Sequence, residues 1–167
     1  MSELKTFQTK DFDIQSYSER IQNSPCFICE MLSGNNPHHI IYQDESAVVF
    51  LNKYPSLYGY ALVAPCKHKE QVTSDFTKAE YLALQKLIYD VSEAIKKVVP
   101  TERIYVLSLG SQQGNSHVHW HLAPLPPNVP FEKQQFEALK IEDGVLDISE
   151  AELAQLAQQI YEAMDLD

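Results

Sequence analysis

Three histidines alternate with apolar residues in Gly114-Asn-Ser-His117-Val-His119-Trp-His121-Leu-Ala-Pro124. An extended chain turns successive side chains to opposite faces. His117, His119 and His121 therefore share one surface, and Val118, Trp120 and Leu122 share the other. The apolar side would anchor the row of imidazoles on a core and hold it rigid. A neutral imidazole is a nucleophile at pH 7, a proton shuttle and a metal ligand. A solvated face would carry assorted polar residues. Three repeats of one residue type that titrates near neutrality point instead to catalysis or metal binding.

Cys26-Phe-Ile-Cys29 is a second candidate, divided on its own among zinc, redox chemistry and chance. Zinc takes about four nitrogen or sulfur donors in a tetrahedron. Pro65-Cys-Lys-His68 closes one β-rich run and His117 opens another, so Cys26, Cys29, His68 and His117 form a candidate Cys2His2 set for Zn2+. Four protein ligands leave no open position for water, so such an ion would be structural, bracing the N-terminal segment against the histidine strand. His117 would then be a ligand. Cys66 reads as a small packed side chain, with a substitute ligand as its alternative role.

The elements that must position these residues follow from periodicity. Short β-rich runs occur at 39–42, 47–51, 60–64, 104–107 and 118–122, and the first two flank the polar turn Gln43-Asp-Glu-Ser46 as a hairpin. From Thr77 to Val98, Leu84, Leu87, Ile88, Val91, Ile95 and Val98 recur at helical spacing behind a Thr77/Glu80 capping box. Ser149 with Glu152, followed by Leu153, Leu156, Ile160 and Met164, repeats that signature near the C-terminus. Weaker helical patterns lie at 12–22 and 27–32. The expected fold class is α+β, a mainly antiparallel sheet of about five strands with one long helix and helical extensions at both ends. The proline-rich stretch 124–130 separates a body, 1–127, from a tail, 128–167, expected to pack on the same domain.

Composition narrows the partners. The 167 residues carry 13 Lys plus Arg against 23 Asp plus Glu, a net charge of -10, with Arg20 and Arg103 as the only arginines. Extended nucleic acid needs a basic face for its phosphates, and this chain has none in prospect. No apolar run approaches a membrane span, and the polar start lacks the apolar core of a secretory signal, so the expected location is cytoplasmic. Lys53, Lys67 and Lys69 are the cations nearest the expected cleft and read as solvated surface.

Taken in order, these residues resemble the histidine triad superfamily, whose pattern is His-φ-His-φ-His-φ-φ with φ apolar. The match is His117-Val-His119-Trp-His121-Leu-Ala, preceded by the CxxC, Phe50-Leu-Asn52, Pro65-Cys-Lys-His68 and a long helix. It spans about residues 24–127. The resemblance implies a nucleoside phosphate substrate and a homodimer, with His119 attacking the α-phosphorus to give a nucleotidyl-histidine. It further implies that His121 donates to the phosphate or the departing group and that Asn52 holds the ribose hydroxyls; Leu51 and the nearby aliphatic residues are the candidates to cover the base. The amides of Gly114, Asn115 and Ser116 are available to phosphate oxygens. Hydrolysis of a dinucleoside polyphosphate, nucleotidyl ester or phosphoramidate is the expected reaction. Two features leave other outcomes open. The segment before His117 is similar to that of galactose-1-phosphate uridylyltransferases, and Phe50-Leu-Asn-Lys-Tyr-Pro55 is similar to diadenosine tetraphosphate phosphorylases. Nucleotidyl transfer, phosphorolysis and a non-catalytic nucleotide-binding adaptor are therefore the alternatives. Ser108 stands where some members have Asn.

Overall fold

The structure, a computed structural model describing residues 4–111 and 113–166, runs β1 (Thr9–Lys10), α1 (Ile14–Asn23), α2 (Phe27–Leu32), β2 (Ile40–Gln43), β3 (Ala47–Leu51), β4 (Ala61–Pro65), α3 (Lys78–Val98) and β5 (Arg103–Leu107). A 3-10 turn at Gln113–Asn115 precedes β6 (Trp120–Leu125). After a second such turn at Phe131–Lys133 come α4 (Phe136–Leu139), β7 (Val145–Leu146) and α5 (Glu150–Ala163). The main sheet has the order β2-β3-β4-β6-β5, antiparallel throughout, as the α+β reading expected.

Alternation divides this sheet into two faces. Val49, Leu51, Val63, Trp120 and Leu122 meet the buried side of α3, including Val91 and Ile95, and α5 packs there through Leu156 and Ile160. Val48, Phe50, Leu62 and Ala123 meet Ile28 and Met31 of α2 on the opposite face. Each such Val or Leu taken out of water contributes roughly 1.5–3 kcal/mol before chain entropy. The long helix starts where its sequence says: the Thr77 hydroxyl accepts from the Glu80 N–H at 3.2 Å, and the Glu80 carboxylate accepts from the Thr77 N–H at 2.7 Å.

The histidine strand starts later than its pattern. Pairing with β4 ends at Val63↔Trp120, and in that register Val118 would face Pro65, which has no N–H to contribute. The Val118 N–H donates instead to Lys69 O at 2.7 Å, so 117–119 is held by the loop after β4. The face alternation survives, since Val118, Trp120 and Leu122 share the α3 side.

Periodicity missed β1 and β7, which at two residues each carry none. They pair antiparallel, Thr9↔Leu146 and Lys10↔Val145, and the Leu146 N–H donates to Pro55 O at 2.8 Å. Lys5 and the Tyr58 hydroxyl both bond the Glu152 carboxylate on α5. Among the described residues no helix is long and apolar enough to cross a membrane.

Candidate active site and metal cluster

Cys26 caps the N-terminus of α2, its Sγ accepting from the Cys29 N–H at 3.4 Å. One turn of helix thereby sets both thiols on the same side. His68 arrives from the loop after β4 and His117 from the segment before β6. The four donor atoms lie within 4.8 Å of one another. Cys26 Sγ is 3.4 Å and Cys29 Sγ 3.7 Å from His117 Nδ1, and Cys29 Sγ is 3.5 Å from His68 Nδ1. A tetrahedral ion with bonds of about 2.0–2.3 Å holds its donors roughly 3.3–3.8 Å apart, so the spacing suits one.

The outer partners suit one too. His117 Nε2 donates to Pro65 O at 2.8 Å and His68 Nε2 donates to Glu70 Oε1 at 3.0 Å, which leaves each Nδ1 lone pair facing the sulfurs. Burial and the neighbouring Cys26 thiol push the Cys29 thiol up, so without a cation Cys29 stays protonated. Glu70 Oε1 also accepts from the Ser116 hydroxyl at 3.0 Å, tying the metal cluster to the loop before the histidines. Cys66 is outside the set, with its Sγ against Asp44 O at 3.5 Å.

Beyond this cluster, His119 is 2 % exposed. Its Nδ1 donates to the His117 carbonyl at 2.7 Å, which places the ring proton on Nδ1 and leaves Nε2 bare. Burial holds the imidazole below its usual range, hence neutral at pH 7. The Ser108 hydroxyl donates to the His119 carbonyl at 2.8 Å, and Phe27 meets the ring edge-on at 5.6 Å. The rings of His119 and His121 lie 4.9 Å apart.

His121 is neutral as well, held at about 3 by burial and by His119. Its Nδ1 is 2.9 Å from the Tyr60 hydroxyl, and burial keeps that phenol protonated. The other nitrogen, Nε2, is buried with no hydrogen-bond partner among the described residues. With Tyr60 donating to Nδ1, the proton of the neutral ring sits on Nε2, an unspent donor beside His119.

His119 and His121 line a cleft of about 430 Å3 that also takes in Phe27, His38, Asn52 and Leu62. Asn52 has a second task, because its Oδ1 accepts from the Tyr54 N–H at 2.9 Å. The side-chain NH2 is what it can offer a ligand. Lys53, read as solvated surface, lines the cleft, whereas Lys69 pairs with Glu80 at 3.6 Å elsewhere.

Three expected binding residues do not face the cleft. Leu51 is 2 % exposed in the core under α3, because alternation along β3 turns it away from the histidine face. Leu62, directly across from His121 in register, takes the apolar position. Gly114 lies against the backbone of α1 and the segment after it, where a Cβ would come within 2.7 Å of Ile21 O. Ser116 is buried, its hydroxyl spent on Glu70. Of the trio before His117, Asn115 is the one that lines the cleft. Sequence reasoning missed Tyr60, Phe27, His38, Tyr54 and Arg20. For Tyr60 and Leu62 the signal was their shared parity in the run 60–64, readable once the register of β4 with β6 is known.

A model of the HIT domain matches residues 33–127. The adenosine 5'-monophosphoramidase hnt1 of Schizosaccharomyces pombe is 27% identical over 129 residues, covering 68% of this chain and 92% of its own. Among solved structures, a hypothetical histidine triad nucleotide-binding protein from Sulfolobus tokodaii superposes with a TM-score of 0.66 at 25% identity, over 83% of this chain and 91% of its own. A Zn-bound histidine triad family protein from Mycobacterium smegmatis superposes with a TM-score of 0.65 at 20% identity, over 82% and 93%.

Proposed function

The chain belongs to the HIT domain family, and on that premise we propose that it is a nucleotide hydrolase working through a nucleotidyl-histidine. The observation that carries this reading is the state of His119: buried, neutral, its Nδ1 proton given to the His117 carbonyl and its Nε2 lone pair free. Nε2 attacks the α-phosphorus of a nucleoside phosphate derivative. A P–N bond forms as the bond from phosphorus to the bridging atom of the leaving group breaks. His121, through Nε2–H, hydrogen-bonds the departing atom and stabilises the charge growing on it, and the proton that completes the leaving group comes from solvent. Water then attacks the same phosphorus, the P–N bond breaks to return neutral His119, and the nucleoside monophosphate leaves with the oxygen of that water, whose proton passes to solvent. One difficult displacement is thus divided into two easier ones.

In this reading Asn52 contacts the ribose through its NH2, and Asn115 stands by the phosphate. Leu62, Phe27 and His38 supply the apolar contacts for the base. Zn2+ held by Cys26, Cys29, His68 and His117 would supply a fixed positive centre that locks the His117 segment in place, with no part in bond making. Three free cysteines and the need for reduced thiols in that set support a cytoplasmic setting. A homodimer is supported by β5, which ends the sheet with Val106 and Leu109 exposed.

The test is trapping: rapid acid-free quenching during turnover of a dinucleoside polyphosphate, followed by peptide mass spectrometry. A nucleoside monophosphate adduct on His119 is expected, with turnover falling at least a thousandfold in His119→Asn. Turnover without an adduct, or an adduct on another residue, would overturn the mechanism.

A further inference from the structure

We propose that α1 is the leaving-group wall of the cleft, and that Arg20 on it selects nucleotides whose leaving group is itself a phosphate chain. The inference rests on the hydrolase reading above and adds a substrate class to it.

Residues 14–23 lie outside the 33–127 span of the family domain, yet α1 forms part of the cleft through Tyr17, Arg20 and Ile21. Its docking is written into the sequence. Asp13 caps it, accepting from the Ser16 N–H at 3.0 Å. Gly114, three residues before His117, is where its C-terminal end comes down. A Cβ there would stand 2.7 Å from Ile21 O, 3.1 Å from Ser24 O and 3.2 Å from Pro25 O, all of them backbone atoms. No other residue permits that approach without moving α1.

The guanidinium it delivers is preset. Arg20 Nη2 donates to the Tyr54 hydroxyl at 3.2 Å, and its Cζ lies 5.6 Å from the Tyr17 ring centre and 5.9 Å from that of Tyr54. Among the described residues it has no carboxylate within ion-pair distance. Lys53, in the same lining, donates to a neutral acceptor, Asn36 Oδ1, at 3.1 Å. Glu30 is the one acid in that lining. A protein of net charge -10 has therefore gathered two uncompensated cations against one carboxylate beside a pair of neutral imidazoles.

A nucleoside monophosphate amide expels a neutral amine, which gives such cations nothing to hold. A dinucleoside polyphosphate expels a nucleotide that takes the bridging oxygen and accumulates negative charge as the P–O bond breaks. A planar, always-charged fork suits oxygens of that chain. Because the charge on the leaving group grows in the transition state, the contact assists the bond-breaking step as well as binding.

The experiment compares kcat/KM for diadenosine tetraphosphate and for adenosine 5'-monophosphoramidate in the wild type, Arg20→Gln and Arg20→Lys, all as full-length protein. Arg20→Gln should lower the ratio of the first to the second at least tenfold, and Arg20→Lys should restore part of it by keeping the charge. Raising the salt concentration should lower the wild-type ratio more steeply than that of Arg20→Gln, in which Lys53 is the cation left in the lining. A ratio that Arg20→Gln leaves within twofold of wild type overturns the role of Arg20 while leaving the nucleotidyl-histidine reading standing. Wild-type protein that turns over neither compound overturns both.

Discussion

The carbonyl oxygen of His117 accepts a 2.7 Å hydrogen bond from Nδ1 of His119, while the His117 ring faces the thiols of Cys26 and Cys29. A single residue thus joins the Cys/His cluster to the proposed nucleophile, side chain to one and backbone to the other. Cys29→Ser should cost about 3 kcal/mol, seen as a melting temperature lower by roughly 10 °C in a chain of this size. It should also lower kcat about tenfold through the misplaced carbonyl, with KM changing less. Metal analysis of the wild type should return one zinc per chain. Metal-free wild-type protein with the melting point and kcat of the zinc-loaded protein would refute the bracing role.

The Tyr60 hydroxyl, 2.9 Å from His121 Nδ1, decides which ring nitrogen carries the proton. In Tyr60→Phe the proton divides between the two nitrogens and the ring loses its anchor. The expected loss is about tenfold in kcat, or ~1.4 kcal/mol, with KM little altered. His121→Gln should lose more, about a hundredfold, since it removes the donor itself. Equal kcat for Tyr60→Phe and wild type would take Tyr60 out of the reaction.

His121 also makes the fold sensitive to acid. Its pKa is held at about 3 in the folded chain by burial and His119, against 6.5 in the unfolded one, so between these values the unfolded state binds more protons. Stability is intact above 6.5 and falls as the pH drops through that window, by on the order of 2 kcal/mol at pH 5. Going from pH 7.5 to pH 5, the wild type should lose about 4–8 °C more in melting temperature than His121→Gln. Parallel losses in the two proteins would contradict the assignment.

Gly114→Ala tests the seat of α1. The added methyl meets three backbone oxygens, which cannot rotate away, and the cost of the forced shift is about 1–3 kcal/mol. Trypsin should then cut after Arg20 at least ten times faster than in the wild type, as followed by mass spectrometry of the fragments. Unchanged cleavage would mean that α1 has room to spare.

The grouping of the histidines and of the Cys2His2 cluster was legible because its signals are local. His117, His119 and His121 share a face by strand parity alone, and Cys26 with Cys29 fit one helical turn. Leu51 failed on the same rule of parity: adjacent to Asn52 in sequence, it points to the other side of the sheet, and only the pairing of Leu62 with His121 shows which side the cleft is on. Tyr60 needed that register as well. Arg20 was beyond reach, since nothing in the pattern of α1 says where the helix lands; that depends on the missing side chain of Gly114, some 90 residues away in the chain. The start of β6 was misplaced because Pro65, on the partner strand, ends the ladder before Val118.

The short β1–β7 ladder, with Lys5 on Glu152 and Lys10 on Asp147 at either side of it, fastens the stretch just upstream of α1 to the stretch just upstream of α5. The tail that follows the shared domain therefore reaches the histidine cleft at second hand, by mooring the segment that carries Arg20. Neither outer segment is an independent ornament on a common core. In descent they are expected to be gained or lost together, and a shortening at one end should loosen the wall built by the other.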